Sequence, residues 1–392
     1  MFTIKTVFYK FIILVIKFVS KFSPQGKPLL FAGSNSSEQL VEHVGLLHSG
    51  TVFVVTDKIL VQLGLVQPIV DGLKAAGLSA SIYDGVQPDP SVSQVNAAVK
   101  QCIAAQCSAV VAVGGGSVLD TAKAVAAMAA QQCELEALIG LNKLKVLPLP
   151  TYMIPTTAGT GSEVTVAAVI SDDQTHEKLK IIDAKLMPSA AAVDPQLMLG
   201  LPPGGTAATG MDALTHAVEA YVSTMRSDET NYHALVAVKL ILENLPKAYA
   251  DGSNLAARQA MAVASTYAGM AFSKANVGYV HAFAHQLGAR YGIPHGLANA
   301  MVLVEVLKFY AAENVAQLTE LAIAAGYANS DSFITAVQSM SDELNIPRSI
   351  ERLVAEDIAG LAKDAADEAH YFYAVPAYMP PQTMRDLLTR LS

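Results

Sequence analysis

Apolar and polar positions follow two periods that change once along the chain. Between about residues 27 and 201, short β-branched runs end in turn residues and give way to segments of helical period. Residues 51–55 (TVFVV), 78–83, 109–113 (AVVAV) and 164–170 read as strands, and 91–105 and the run after Ser117 read as helices. Strands alternating with helices predict an open parallel sheet. Residues 146–154 are broken by prolines and read as irregular, leading into Pro155-Thr-Thr-Ala-Gly-Thr-Gly-Ser. Beyond Thr206 strand signals stop, and the alanine- and leucine-rich runs 206–222, 228–248, 256–273 and 280–291 read as helices. The expected division is an extension at 1–23, an α/β domain at 24–205 and a helical domain at 206–392, with the boundary at Leu201-Pro-Pro-Gly-Gly.

Residues 1–23 (MFTIKTVFYKFIILVIKFVSKFS) depart from this pattern, with lysines at Lys5, Lys10, Lys17 and Lys21 and no acid. The longest lysine-free stretch, 11–16, is too short to cross a bilayer, and no small-residue cleavage pattern precedes Pro24. On a helix Lys10, Lys17 and Lys21 form one basic stripe beside an apolar remainder. Two readings stand level: a helix lying on an anionic membrane surface, or an arm packed on a neighbouring subunit.

Composition narrows the function. With 392 residues, 52% of them hydrophobic, the chain has enough apolar material for two cores. A net charge of −8 with only 15% charged residues argues against a nucleic-acid partner, which needs a basic surface. Three cysteines (Cys102, Cys107, Cys133) fit neither a disulfide framework nor a thiolate metal site, and a reducing, cytoplasmic compartment is expected.

Three stretches carry candidate chemistry. Gly114-Gly115-Gly116-Ser117 sits between a strand and a helix, where backbone N–H groups at a helix start suit a phosphate. The spacing is not the dinucleotide fingerprint, since Leu119 stands where its third glycine would, so a plain structural turn is nearly as good a reading. The hydroxyl-rich loop 156–162 could bind a ribose or phosphate, and Lys178 and Lys180, just before an apolar strand, could meet an anionic cofactor group. In the third stretch, Asp212 and His216 are one helical turn apart, as are His281 and His285, and His295 follows in a short loop marked by Gly292, Pro294 and Gly296. One carboxylate with three imidazoles makes a divalent-metal site, but spacing alone does not say which histidines serve. Glu219 shares the helical face of Asp212 and reads as a supporting or solvent-facing acid. Glu163 and Asp183 read as solvated loop charges, and His43, His48, His176, His233 and His370 as structural.

GGGSVLDTAKAVA, IPTTAGTGSEVT, GMDALTHAVEAY and HAFAHQLGARYGIPHG, in this order and at these separations, resemble the iron-containing (group III) alcohol dehydrogenase family over residues from about 30 to the C-terminus. The resemblance implies a Rossmann-like α/β N-terminal domain and an all-α metal-binding C-terminal domain. It implies metal ligands Asp212, His216, His281 and His295, with His285 beside nicotinamide and substrate. It assigns Gly115, Gly116, Ser117 and Asp120 to the cofactor glycine motif, Thr156 and Thr157 to a second cofactor loop, and, less closely, Lys178. Asp57 falls where the family presents an acid to the adenosine ribose, which would repel a 2′-phosphate and favours NAD over NADP. The expected activity is NAD-dependent interconversion of an alcohol and its aldehyde or ketone, with Fe(II), or Zn(II) or another divalent ion, polarising the substrate oxygen. A homo-oligomer is the family's habit. The alternatives are a glycerol dehydrogenase-like or dehydroquinate synthase-like enzyme, or a membrane-associated binding protein on a retained fold. Two departures stand out: the 1–23 extension, and the ending HYFYAVPAYMPPQTM in place of the family's Asn-Pro-Arg.

Overall fold

The structure, a computed structural model, describes residues 2–20, 26–175 and 177–392; Lys21 and His176 lie outside the described residues. The chain divides into two compact units, Gln25–Leu201 and a helical one combining Met1–Pro24 with Pro202–Ser392.

Helix α1 (Phe2–Ser20) belongs to the helical unit. The α/β unit then runs β1 (Leu29–Ala32), α2 (Ser36–Leu47), β2 (Thr51–Val55), α3 (Lys58–Gln62), α4 (Gln67–Ala75), β3 (Ser79–Tyr83), α5 (Val92–Ala104), β4 (Ala109–Gly114) and α6 (Gly116–Gln131). It continues through β5 (Gly140–Leu141), β6 (Thr151–Pro155), β7 (Ala167–Ser171), β8 (Lys178–Ile182) and β9 (Ala190–Val193). Six strands form a parallel sheet in the order β1-β9-β6-β4-β2-β3, and β5, β8 and β7 form a small second sheet. Strand β4 explains its own apolar run: Val110 and Ala112 enter one core with α5 and α6, while Ala109, Val111 and Val113 enter another with α2 and α4. A strand covered on both faces has no polar position to alternate with.

Two readings of this unit need correction. The stretch taken as irregular contains β6, a fully buried strand of the main sheet whose Pro150 and Pro155 stand before its start and at its last residue, where they interrupt little of the ladder. Lys178 and Lys180 are not ahead of a strand but inside β8.

The helical unit continues with α7 (Pro203–Val222), α8 (Asp228–Ala250), α9 (Leu255–Ala275), α10 (Tyr279–Tyr291), α11 (His295–Ala312), α12 (Ala316–Ala325), α13 (Ser330–Glu343), α14 (Ala355–Phe372) and α15 (Pro381–Leu391). Helix α7 begins three residues before the sequence pattern suggests, because a proline at the first helical position has no N–H to satisfy and its φ suits the helix. From Gly210 to Val222 every side of α7 is buried, against α8, α9 and α11. Helix α1 lays Tyr9 and Ile13 on the same unit: the Tyr9 ring is 5.2 Å from His370 and 4.9 Å from Tyr371, and Lys17 Nζ donates to Thr224 O at 2.7 Å. Among the described residues no helix is long and apolar enough to cross a membrane.

Candidate metal and cofactor sites

The buried helix α7 carries Asp212 and His216 on one face, and α10 carries His281 and His285 on another. Ligand atoms of Asp212, His216 and His281 lie within 4.8 Å of one another, all three residues being buried. His216 Nδ1 is 4.0 Å from Asp212 Oδ2, and His281 Nε2 is 3.9 Å from Asp212 Oδ1. His295 is not in a loop, as its neighbours suggested, but is the first residue of α11, with Pro294 as the cap. Its Nε2 lies 3.7 Å from Asp212 Oδ1.

Gly296 makes this approach feasible. A Cβ there would stand 2.5 Å from the carbonyl oxygen of Ala208 on α7, so a side chain would push the start of α11 away from Asp212. One turn along α11, the wholly buried Asn299 points its amide nitrogen into the cluster, 2.7 Å from Asp212 Oδ1, 3.3 Å from His281 Nε2 and 3.2 Å from His295 Nε2. Three acceptors from three helices thus converge on one donor, the arrangement a divalent cation exploits, and the nitrogen–oxygen donor set suits such an ion.

A second layer of residues orients the cluster; spacing offered Glu219 as a supporting or solvent-facing acid and gave no sign of Glu368. Glu219 is buried, accepts from Gly278 N (2.8 Å) and Val280 N (2.7 Å) at the start of α10, and contacts His281 Nδ1 at 2.6 Å. Burial pushes its carboxyl up to about 8, opposed by the backbone donors of Gly278, Val280 and His281. The sign available in the sequence was its place seven residues after Asp212, on one helical face. His285 Nδ1 is 2.8 Å from Glu368 Oε1 on α14, and Glu368 also accepts from Gln286 Nε2 at 3.0 Å and from the Tyr373 hydroxyl. The His285 ring stacks on that of His295, 5.3 Å between centroids.

In the α/β unit, Gly115 is the only residue between β4 and α6. A Cβ on Gly116 would meet Thr160 Cγ2 at 2.5 Å and one on Gly115 would meet Thr157 at 3.4 Å, so the two loops assigned to the cofactor lie against each other at the start of α6. Thr156 N donates to Gly114 O at 3.0 Å, and Ser117 is the second residue of α6, after Gly116. Asp120 turns both oxygens inward, to the Ser162 hydroxyl (2.6 Å) and Val169 N (2.9 Å), and so shapes the second loop. The fully buried Lys123 completes that support, reaching Ser162 O at 2.7 Å, Ser162 Oγ at 2.9 Å, Thr165 Oγ1 at 3.0 Å and Ala167 O at 2.9 Å; burial lowers its pKa to about 8. Asp57 stands at the carboxyl end of β2 and caps α3, accepting from Leu60 N at 2.9 Å. Lys178 is held by Asp89 and by Ser171 Oγ at 2.9 Å. Glu163 and Asp183, read as solvated charges, are both buried, the latter accepting from Leu144 N and Lys185 N.

Comparison with known proteins agrees over most of the chain. Residues 28–195 match the family described as Iron-containing alcohol dehydrogenase, and residues 206–391 match Fe-containing alcohol dehydrogenase family, C-terminal. Alcohol dehydrogenase 4 of Saccharomyces cerevisiae is 39% identical over 348 residues, covering 87% of this chain and 91% of the yeast protein. The crystal structure of a 1,3-propanediol oxidoreductase superposes with a TM-score of 0.90 at 36% identity, covering 94% of this chain and 100% of the other. Sulfoacetaldehyde reductase of Bifidobacterium kashiwanohense, solved in complex with NAD+, gives 0.86 at 28% identity, over 94% and 98% of the two chains. The chain therefore belongs to the iron-containing alcohol dehydrogenase family: it is an oxidoreductase acting on the CH–OH group of alcohols, with NAD and a divalent metal as cofactors.

Proposed function

We propose that Asp212, His216, His281 and His295 hold the metal and that the substrate is a small primary alcohol or diol, or the matching aldehyde. The relative named for 1,3-propanediol supports a short substrate. The observation that carries the metal assignment is the convergence of Asp212, His216 and His281 within 4.8 Å, with His295 3.7 Å from the same carboxylate. When bound, a divalent metal would supply Lewis acidity toward the substrate oxygen, and NAD would supply the hydride acceptor or donor.

The chain's own residues do the remaining work. In its ionised form, which a cation at Asp212 would favour against the burial that raises its pKa, Glu219 holds the proton on His281 Nδ1 and leaves the Nε2 lone pair on the side of Asp212. An ionised Glu368 likewise makes Nδ1 the protonated nitrogen of His285, so that Nε2 takes the alcohol's proton and returns it in reduction. Gly115, Gly116 and Ser117, with Thr156 and Thr157, bring backbone N–H groups and hydroxyls to the cofactor phosphates. Asp57 faces the adenosine ribose. Asp120 acts through the Ser162 loop, and Lys178, held by Asp89 and Ser171, lines the same region less directly. A cytoplasmic homo-oligomer is part of this proposal, supported by the family and by three cysteines that form no disulfide.

The test is anaerobic NAD reduction by ethanol, 1-butanol and 1,3-propanediol, with Fe(II) or Zn(II) restored to metal-stripped protein. Turnover with at least one alcohol, and a preference for NAD that Asp57→Ala erodes in favour of NADP, is the expected result. A metal-loaded, NAD-binding protein that turns over no alcohol or aldehyde would contradict it.

A further inference from the structure

Helix α1 buries Tyr9 and Ile13 against its own unit, and that leaves its opposite side facing out. There Val7 (67% exposed), Phe8, Phe11 (61%), Leu14 (63%), Val15 and Phe18 (63%) stand together. Their spacing of three, four and seven places all six within an arc of about 120° at 100° per residue. Isolated apolar side chains on a surface are ordinary, but six on one helical arc form a patch. Charge then distinguishes what covers it. On the same helical wheel Lys10 and Lys17 border one edge of the arc and Lys5 the other, and α1 contains no acid, in a chain whose net charge is −8. Lys5 and Lys10 are exposed, while Lys17 spends part of its charge on Thr224 O.

From this we propose that α1 is a docking surface for an anionic lipid bilayer, lying in the plane of the interface with its six-residue arc in the acyl boundary and its lysines at the headgroups. The three lysines of the described helix, Lys5, Lys10 and Lys17, interrupt its apolar run and leave it not apolar enough to cross a membrane. A second copy of the chain fits less well. Two α1 helices joined through their apolar arcs would set lysine edge against lysine edge with no acid on either helix to neutralise them. An anionic headgroup layer meets both edges with the opposite charge, which is the combination of apolar burial and electrostatic attraction that holds interfacial helices. The inference stands apart from the dehydrogenase assignment, because α1 contributes no residue to the metal or cofactor sites described above.

The experiment is sedimentation of the full-length, metal-loaded protein with vesicles of phosphatidylcholine alone and with phosphatidylglycerol added, at low and high salt, beside a Phe11→Asp/Leu14→Asp variant and a Lys5→Glu/Lys10→Glu variant. Both pairs lie on the exposed side, and circular dichroism checks that the fold is kept. Alcohol-dependent NADH formation should be equal in all three proteins. Binding is expected to anionic vesicles only, to weaken at high salt, and to fall at least tenfold in each variant. Lack of binding to anionic vesicles, or binding that the Phe11→Asp/Leu14→Asp change leaves intact, overturns the proposal. So does a wild-type oligomer that dissociates in the Phe11→Asp/Leu14→Asp variant without any lipid binding, which would make the patch an interface between copies.

Discussion

Glu219 Oε2 lies 2.6 Å from Nδ1 of His281, while the ring's other nitrogen, Nε2, faces Asp212 Oδ1 at 3.9 Å. A carboxylate behind a ligand imidazole fixes its tautomer and raises its basicity. Because α10 begins two residues before His281, the same carboxylate also takes the N–H groups of Gly278 and Val280, and one side chain sets both the helix start and the ring. Glu219→Gln should lower metal affinity by about 10- to 100-fold, the usual cost of losing such a partner, as read by chelator competition.

Glu368 should behave differently, since it stands behind His285 and not behind a proposed ligand. Glu368→Gln is expected to leave metal content at the wild-type level while kcat falls by up to about 10²-fold, the lower end of what a positioned proton-transfer group contributes. Equal loss of metal and activity would show that this acid is part of the metal's support instead.

Gly296 tests the packing that brings α11 to Asp212. The added Cβ of Gly296→Ala would sit 2.5 Å from backbone Ala208 O, so it is the helix that must move. The expected cost is about 1–3 kcal/mol, as for other overpacked sites. Thermal unfolding reads it, and metal release should accelerate in parallel as His295 withdraws from the cluster.

His370 makes stability depend on pH. Its ring is enclosed between Tyr9 and Tyr279, with the Tyr279 hydroxyl 2.7 Å from Nε2, and burial lowers its pKa from 6.5 to about 4. The unfolded chain takes up this proton below pH 6.5 and the folded chain only near 4, so stability present above pH 6.5 is lost as pH falls through that window. The loss attributable to this group is about 3 kcal/mol at most. Denaturant titrations at pH 7 and pH 4.5 should show a smaller difference for His370→Gln than for wild type.

The two-part architecture was readable because periodicity changes near residue 201, and strands such as β2 after Thr51 and β4 are runs with no polar residue, as a strand covered on both faces requires. Strand β6 was hidden because prolines, read as breakers along a whole segment, in fact sit at its ends. The proposed metal ligands all lie in two of the motifs, yet spacing alone could not separate His285 from His295; in the structure they part by partner, His285 toward Glu368 and His295 toward Asp212. Asn299 escaped notice since its place one turn after His295 matters only once α11 is known to start there. Glu368 joins His285 across 83 residues of chain, a distance no local pattern spans. Lys123 did leave a trace, a single charge inside the apolar run TAKAVAAMAA, which can be buried only if acceptors await it.

Alcohol oxidation is proposed to depend on one metal site formed by Asp212, His216, His281 and His295. The most direct measurement is metal stoichiometry, by elemental analysis after anaerobic Fe(II) reconstitution, taken together with alcohol-dependent NADH formation for wild type and His281→Ala. One metal per chain and turnover are expected in the wild type, with both lost in the variant while its fold and NAD binding persist. A His281→Ala protein that keeps its metal and its activity would contradict it.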